Sequence, residues 1–151
     1  MGKTTIRPAT KDDLDLLMLI AVSMHAESPR YSKLSFSHDK VLNLFVTLMS
    51  SQNCLLLVAE RGGDVIGAVA GFVAPHWFSD DLVANEYGVF ILPEHRGGLT
   101  AVRLARAYIQ WGKMMNAKLI QIGISTGVMT EETTALYLAI GLKPFSFGFE
   151  V

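Results

Sequence analysis

The chain has 151 residues, half of them hydrophobic, with 13 Lys and Arg against 14 Asp and Glu (formal net charge −1) and a single cysteine. That size and composition suit one domain over residues 1–151 with a sizeable core and exclude disorder. The even charge lacks the clustered Lys and Arg that displace phosphate counterions, so no nucleic-acid partner is expected, and one cysteine excludes an intramolecular disulfide framework.

The start, Met1 to Ile6, has no apolar signal core, and apolar runs such as Val41 to Met49 are interrupted and too short for a bilayer. A cytoplasmic protein without a membrane partner is expected. Thr4 to Pro8 reads as a first strand, ended by a proline that cannot extend a ladder. Thr10-Lys11-Asp12-Asp13 has capping-box spacing. The helix that follows, through Leu14, Leu17, Met18, Ala21 and Met24, is apolar almost all round and is expected to be covered on more than one side. After a loop from His25 to Lys33, Ser37 caps a second helix with Val41, Leu44, Phe45, Leu48 and Met49 on its inner face.

Cys54 to Glu60 and Val65 to Val73 read as an antiparallel hairpin across Gly62-Gly63. Ala74 to Asp81 reads as a loop and Glu86 to Leu92 as a strand. The long helix after it has Ala101, Leu104, Ala105, Tyr108, Trp111 and Met115 on one side and Arg103, Arg106, Gln110 and Lys113 on the other. Lys118 to Ser125 has strand alternation, Thr130 starts a helix that stops at Gly141, and Phe145 to Val151 makes a last strand. The order β-α-α-β-β-β-α-β-α-β predicts an α/β fold of the α+β kind: a central mixed, mostly antiparallel sheet with helices on both faces.

Glu86 to Ala101 is the most informative stretch. A strand stopped by Pro93 runs into Gly97-Gly98 and then a helix, whose first N–H groups lack intrahelical partners at the positive end of its dipole. Such a turn can receive a phosphate. Together with Pro93-Glu94-His95-Arg96-Gly97, it resembles the acetyl-CoA-binding motif of the GNAT superfamily of N-acetyltransferases. The family loop runs Gln/Arg-x-x-Gly-x-Gly/Ala. Starting it at Arg96 places Ala101 last and Leu99 where glycine is usual; starting it at His95 would turn Arg103 into the core, so the Arg96 register is adopted. Ile6-Arg7-Pro8-Ala9-Thr10, Val58-Ala59-Glu60 with Ile66-Gly67, and Leu136-Tyr137-Leu138-Ala139-Ile140-Gly141-Leu142 are similar to further segments of that family, in its order. Thr130 and Thr133 depart from its usual Asn and Ala.

The resemblance implies acetyl transfer from acetyl-CoA, used as a co-substrate without a metal, to a small-molecule, peptide or protein amine. It implies that Arg96, Gly97, Gly98, Leu99, Thr100 and Ala101 hold the pyrophosphate, and that the backbone of Val89, Phe90 and Ile91 holds the pantetheine arm as an added strand. Tyr137 is the candidate acid toward the departing thiolate; core packing is its competing role. Glu86 is the candidate base, against the plain alternative of a solvated carboxylate near a strand start. His25, Arg30, Tyr31, His76 and Trp77 lie in or beside two loops expected to rim the acceptor pocket, and His25 or His76 is an alternative base. The four histidines lack metal-ligand spacing. Lone Cys54 lies far in sequence from the loop, favouring direct transfer over an acyl-cysteine. Two other readings stand beside this one: a GNAT-like module that binds CoA or a protein without catalysis, and a mononucleotide-binding α/β domain, which lacks both a P-loop lysine motif and GxGxxG. A homodimer is compatible with an apolar final strand at a sheet edge.

Overall fold

Gly62 and Gly63, at φ 62° and 90°, make the tight turn from which the sheet is built. Two successive left-handed residues match the twist of the strands they join, and only glycine adopts them freely. The structure, a computed structural model, describes residues 2–151. Its strands are β1 (Thr4–Pro8), β2 (Cys54–Arg61), β3 (Asp64–His76), β4 (Ser79–Ile91) and β5 (Leu119–Ile120), in that spatial order. All neighbours are antiparallel except β4 and β5, which run parallel. The helices are α1 (Leu14–Glu27), α2 (His38–Ser50), α3 (Thr100–Met114) and α4 (Thr130–Ala139).

Alternation along the strands separates two cores. Leu55, Ala59, Val69, Val73 and Ala84 pack with Leu104 and Tyr108 of α3. Leu56, Val58, Ala68 and Ala70 pack with Leu17 and Ile20 of α1 and Leu48 of α2. The expected inner and outer sides of α3 are both found: Leu104, Ala105 and Tyr108 are fully buried, and Arg103, Arg106, Gln110 and Lys113 are exposed. At the entry to α1, Arg7 donates to both carboxylate oxygens of Asp13 at 2.8 and 3.0 Å and to Glu60 at 2.8 Å. The Thr10 N–H also donates to Asp13, at 2.8 Å, completing the expected capping box. The guanidinium holds the Asp13 carboxyl below its usual range.

Three expectations need correction. Residues 74–81 are not a loop: the ladder continues to Pro75↔Leu82 and His76↔Ser79, with Trp77 and Phe78 alone at the turn. β5 is two residues long: after the Gln121 N–H, which still donates to the Ala84 carbonyl of β4 at 3.0 Å, side chains replace the ladder. The Gln121 carbonyl accepts from the Tyr108 hydroxyl at 2.7 Å, and the Gly123 N–H donates to Glu86 Oε1 at 2.9 Å. Phe145 to Val151 pairs with no strand, and its aromatic side chains are exposed; Glu150 instead accepts from Arg30 at 2.6 Å. As expected, α1 is covered on more than one side, by α2 and by the sheet, while Leu16, Leu19 and Val22 remain exposed.

The feature that makes room for a site is a bulge. Ala70 opposes Gly88 and Gly71 opposes Glu86, so Tyr87 is an extra residue in β4. A bulge bends its strand and increases local twist. Beyond Ala84, the last β4 residue paired with β5, the two chains part. Residues 88–91 keep β3 on one side and have no strand on the other.

Candidate active site

The parting of β4 and β5 opens a cavity of about 620 Å³. Glu86 to Ile91 run along it. His95 to Gly98 and Ala101 line it together with Met129, Glu132, Thr133, Leu136 and Tyr137 of the α4 segment and with residues of α1 and α2. Glu86 is largely sheltered here. Burial raises its carboxyl above the usual range, and the Gly123 N–H partly offsets that shift. A Cβ at Gly123 would lie 3.4 Å from Glu86 Oε1, so the missing side chain gives this contact its space. The Tyr137 hydroxyl is pushed up first by burial and then by the Glu86 charge, which keeps it a proton donor at ordinary pH.

The loop before α3 turns at Gly97, φ 88°. No other atom lies within 4 Å of a Cβ built at Gly97 or Gly98, so the backbone there is open to a ligand. The first α3 residue whose N–H reaches a carbonyl is Arg103, to Leu99 at 3.0 Å, and the preceding helical amides face outward as at any helix start. The Arg96 side chain is engaged elsewhere. Its Nη1 and Nη2 donate to the two oxygens of Glu27 at 2.6 Å each, its Nε donates to the Ile91 carbonyl at 2.9 Å, and it lies over the Phe90 ring. Arg96 therefore ties the end of α1 to the loop, and each partner stabilises the other's charged form.

The structure brings Glu86, Tyr137, Val89, Phe90, Ile91, Arg96, Gly97, Gly98, Ala101 and Tyr31 to this one cavity. Leu99 and Thr100 instead line a smaller adjoining cavity with Lys3, Arg61 and Arg103; Thr100 is buried and its hydroxyl accepts from Arg61. His25 and Arg30 stand outside the main cavity. The His25 Nε2 hydrogen bonds to the Leu34 carbonyl at 2.7 Å, and Arg30 is paired with Glu150. His76 and Trp77 sit at the tip of the β3–β4 hairpin, away from the lining, with Trp77 88% exposed. Sequence reasoning assigned Val41, Leu44 and Phe45 to the core, whereas they also wall the cavity. It also missed Glu27 and Gly123, whose partners lie 69 and 37 residues away with no local pattern to announce them. Among the described residues no group of three His, Cys, Asp or Glu could hold a metal ion, and no helix is long and apolar enough to cross a membrane.

Residues 20–141 match the model of the Acetyltransferase (GNAT) family. An "Uncharacterized N-acetyltransferase" of Archaeoglobus fulgidus is 30% identical over 123 residues, which is 79% of this chain and 80% of that protein. Among solved structures, the aminoglycoside N-acetyltransferase AAC(6')-Iy in complex with CoA superposes with a TM-score of 0.80 at 16% identity, over 100% of this chain and 95% of that one. A transcriptional regulator from Bacillus halodurans superposes with a TM-score of 0.78 at 21% identity, over 99% of both chains. The chain belongs to the GNAT acetyltransferase family and is an acyltransferase enzyme.

Proposed function

We propose that this chain, acting as one domain in the cytoplasm, transfers the acetyl group of acetyl-CoA to a primary amine by direct attack in a ternary complex. The observation that supports this best is the convergence of Glu86 and Tyr137 on a cavity that runs along the unpaired edge of β4. Residues 88–91 offer main-chain groups, the Arg96-bound Ile91 carbonyl apart, to a pantetheine arm, which adds to the sheet as a further strand would. The open amides from Gly97 to Ala101 receive the pyrophosphate at the positive end of α3. Arg96 contributes through its backbone and by fixing the loop, because its guanidinium is bound to Glu27.

The amine nitrogen attacks the thioester carbon and the carbon–sulfur bond breaks. The proton lost from nitrogen goes to Glu86, directly or through a water, and the Tyr137 hydroxyl donates to the departing sulfur. Both assignments fit the electrostatics: a sheltered carboxylate with a raised affinity for protons is a better base, and a phenol that stays protonated is a usable acid. Cys54 lines neither cavity, consistent with transfer without an acyl-cysteine.

Calorimetry with acetyl-CoA followed by thiol release over an amine panel tests the reading. Saturable binding and amine-dependent thiol release are expected. Absence of binding at millimolar acetyl-CoA would discard it, and binding without release to any amine would favour a CoA-binding module. The engagement of Arg96 by Glu27 and the exposed Leu99 in the loop are the features on which that second reading draws.

A further inference from the structure

The cavity is chemically divided. Its loop end holds the polar groups of residues 95–98 and the exposed Glu132 of α4. Much of its remaining wall is apolar: Met24 of α1, Phe36, Val41, Leu44 and Phe45 in and before α2, and the sheet floor at Ala70. The Tyr31 hydroxyl beside this wall is already engaged. It donates to Ser125 Oγ at 2.7 Å and accepts from Arg30 at 3.2 Å. One carboxylate, Glu86, borders this apolar half.

We infer that the acceptor is a monoamine on an apolar, ring-sized body, its amine at Glu86 and its body against the α1–α2 wall. The inference rests on the proposed acetyl transfer and names its substrate class. Seating hydroxyls or a second ammonium against Met24, Val41, Leu44 and Phe45 would strip their water and return no hydrogen bond or counter-charge. An apolar body loses nothing there and gains from leaving water. By the same reasoning, the fold shared with an aminoglycoside acetyltransferase does not bring its polyhydroxylated, multiply charged class of substrate with it.

The test compares three probes, 2-phenylethylamine, spermidine and glucosamine, by calorimetric binding to the CoA-saturated protein and by thiol release with acetyl-CoA. Phenylethylamine is expected to bind at least tenfold tighter than either other probe and to have at least a tenfold higher kcat/KM. Val41→Glu, which sets a second carboxylate on the wall near the exposed start of α2, should weaken phenylethylamine at least tenfold and improve spermidine, with thermal melting as the check on folding. Spermidine or glucosamine matching phenylethylamine in the unmodified protein, or phenylethylamine failing to bind at millimolar concentration, overturns the inference. Phenylethylamine binding without any thiol release upholds the class of ligand and instead removes the transfer chemistry. If acetyl-CoA and CoA do not bind, the transfer reading falls, and binding of the three amines to the free protein still decides the class.

Discussion

The two faces of the sheet are built from similar apolar residues, yet one is closed and the other is open. On the α3 face, Leu104, Ala105 and Tyr108 meet the strands with no space left: a Cβ on Gly71 would come within 2.8 Å of the Tyr108 ring. On the α1–α2 face, Leu17, Ile20 and Leu48 are buried near the sheet, whereas Met24, Val41 and Leu44 are only partly covered and border the cavity. The difference teaches that apolarity alone does not define a core. What separates the faces is the Tyr87 bulge, beyond whose start β4 and β5 part, so that the sheet under the open side is split instead of continuous. Rigidity belongs to one side and ligand space to the other.

Substitutions that separate activity from stability test this division. The largest expected effect is on the open side. Glu86→Gln should lower kcat/KM by roughly 10²- to 10⁴-fold, the range for losing a positioned acid–base group, with the deficit greatest between the Glu86 pKa and that of the amine, where the carboxylate is ionised and free amine is scarce. In the unmodified enzyme the rate should climb as pH rises through a Glu86 pKa that lies above the usual carboxylate range. The same change should not lower stability. A carboxyl whose folded pKa is raised opposes folding once it is ionised, so the glutamine variant should melt at or above the unmodified protein's temperature above that pKa. A large fall in melting temperature would show that Glu86 is a structural group.

Leu104→Ala probes the closed side. Removing a fully buried leucine should cost about 2–5 kcal/mol in chemical denaturation while leaving kcat/KM per folded molecule within a few-fold. Comparable losses in both would mean that the two faces are not separable. Tyr137→Phe should lower kcat roughly tenfold to a thousandfold with acetyl-CoA affinity nearly unchanged, measured where chemistry is rate-limiting. Unaltered turnover would assign Tyr137 to packing alone. Gly97→Val forces a β-branched residue to φ 88°, a strain of about 1–3 kcal/mol, and should weaken acetyl-CoA binding about tenfold or more by calorimetry. The smallest change, Tyr108→Phe, leaves the Gln121 carbonyl without its hydroxyl donor and should cost about 1 kcal/mol of stability.

Much of this was legible in the chain. Gly62-Gly63, the Thr10–Asp13 box, the Ser37 cap and the two sides of α3 are local patterns with local causes, and each element forms where its pattern lies. Elements that depend on a distant partner were not legible. Phe145 to Val151 alternates as a strand does, but alternation cannot supply the neighbour that makes a ladder. Trp77 and Phe78 do not look like turn residues, so the hairpin around them read as a loop. The site divides in the same way. The glycine loop and the Tyr137 spacing resemble a family motif, whereas the Glu27–Arg96 tie and the Gly123–Glu86 contact exist only once the chain has folded. The α2 residues were recognised correctly as facing inward; nothing in periodicity distinguishes facing a core from facing a cavity.

The unpaired margin of residues 88–91 has a consequence for solubility. A row of free amide and carbonyl groups on a sheet invites edge-to-edge association with another chain, and proteins commonly blunt it with charge, proline or a bulge at the periphery. Here the vulnerable margin lines a cavity together with residues of α1, α2 and the α4 segment, which cover it against a second sheet. Truncation before Thr130 would strip that shield while leaving the β1–β4 ladders in place. The shortened protein should aggregate through this margin far more readily than the full chain, and a ligand able to occupy the groove should delay it.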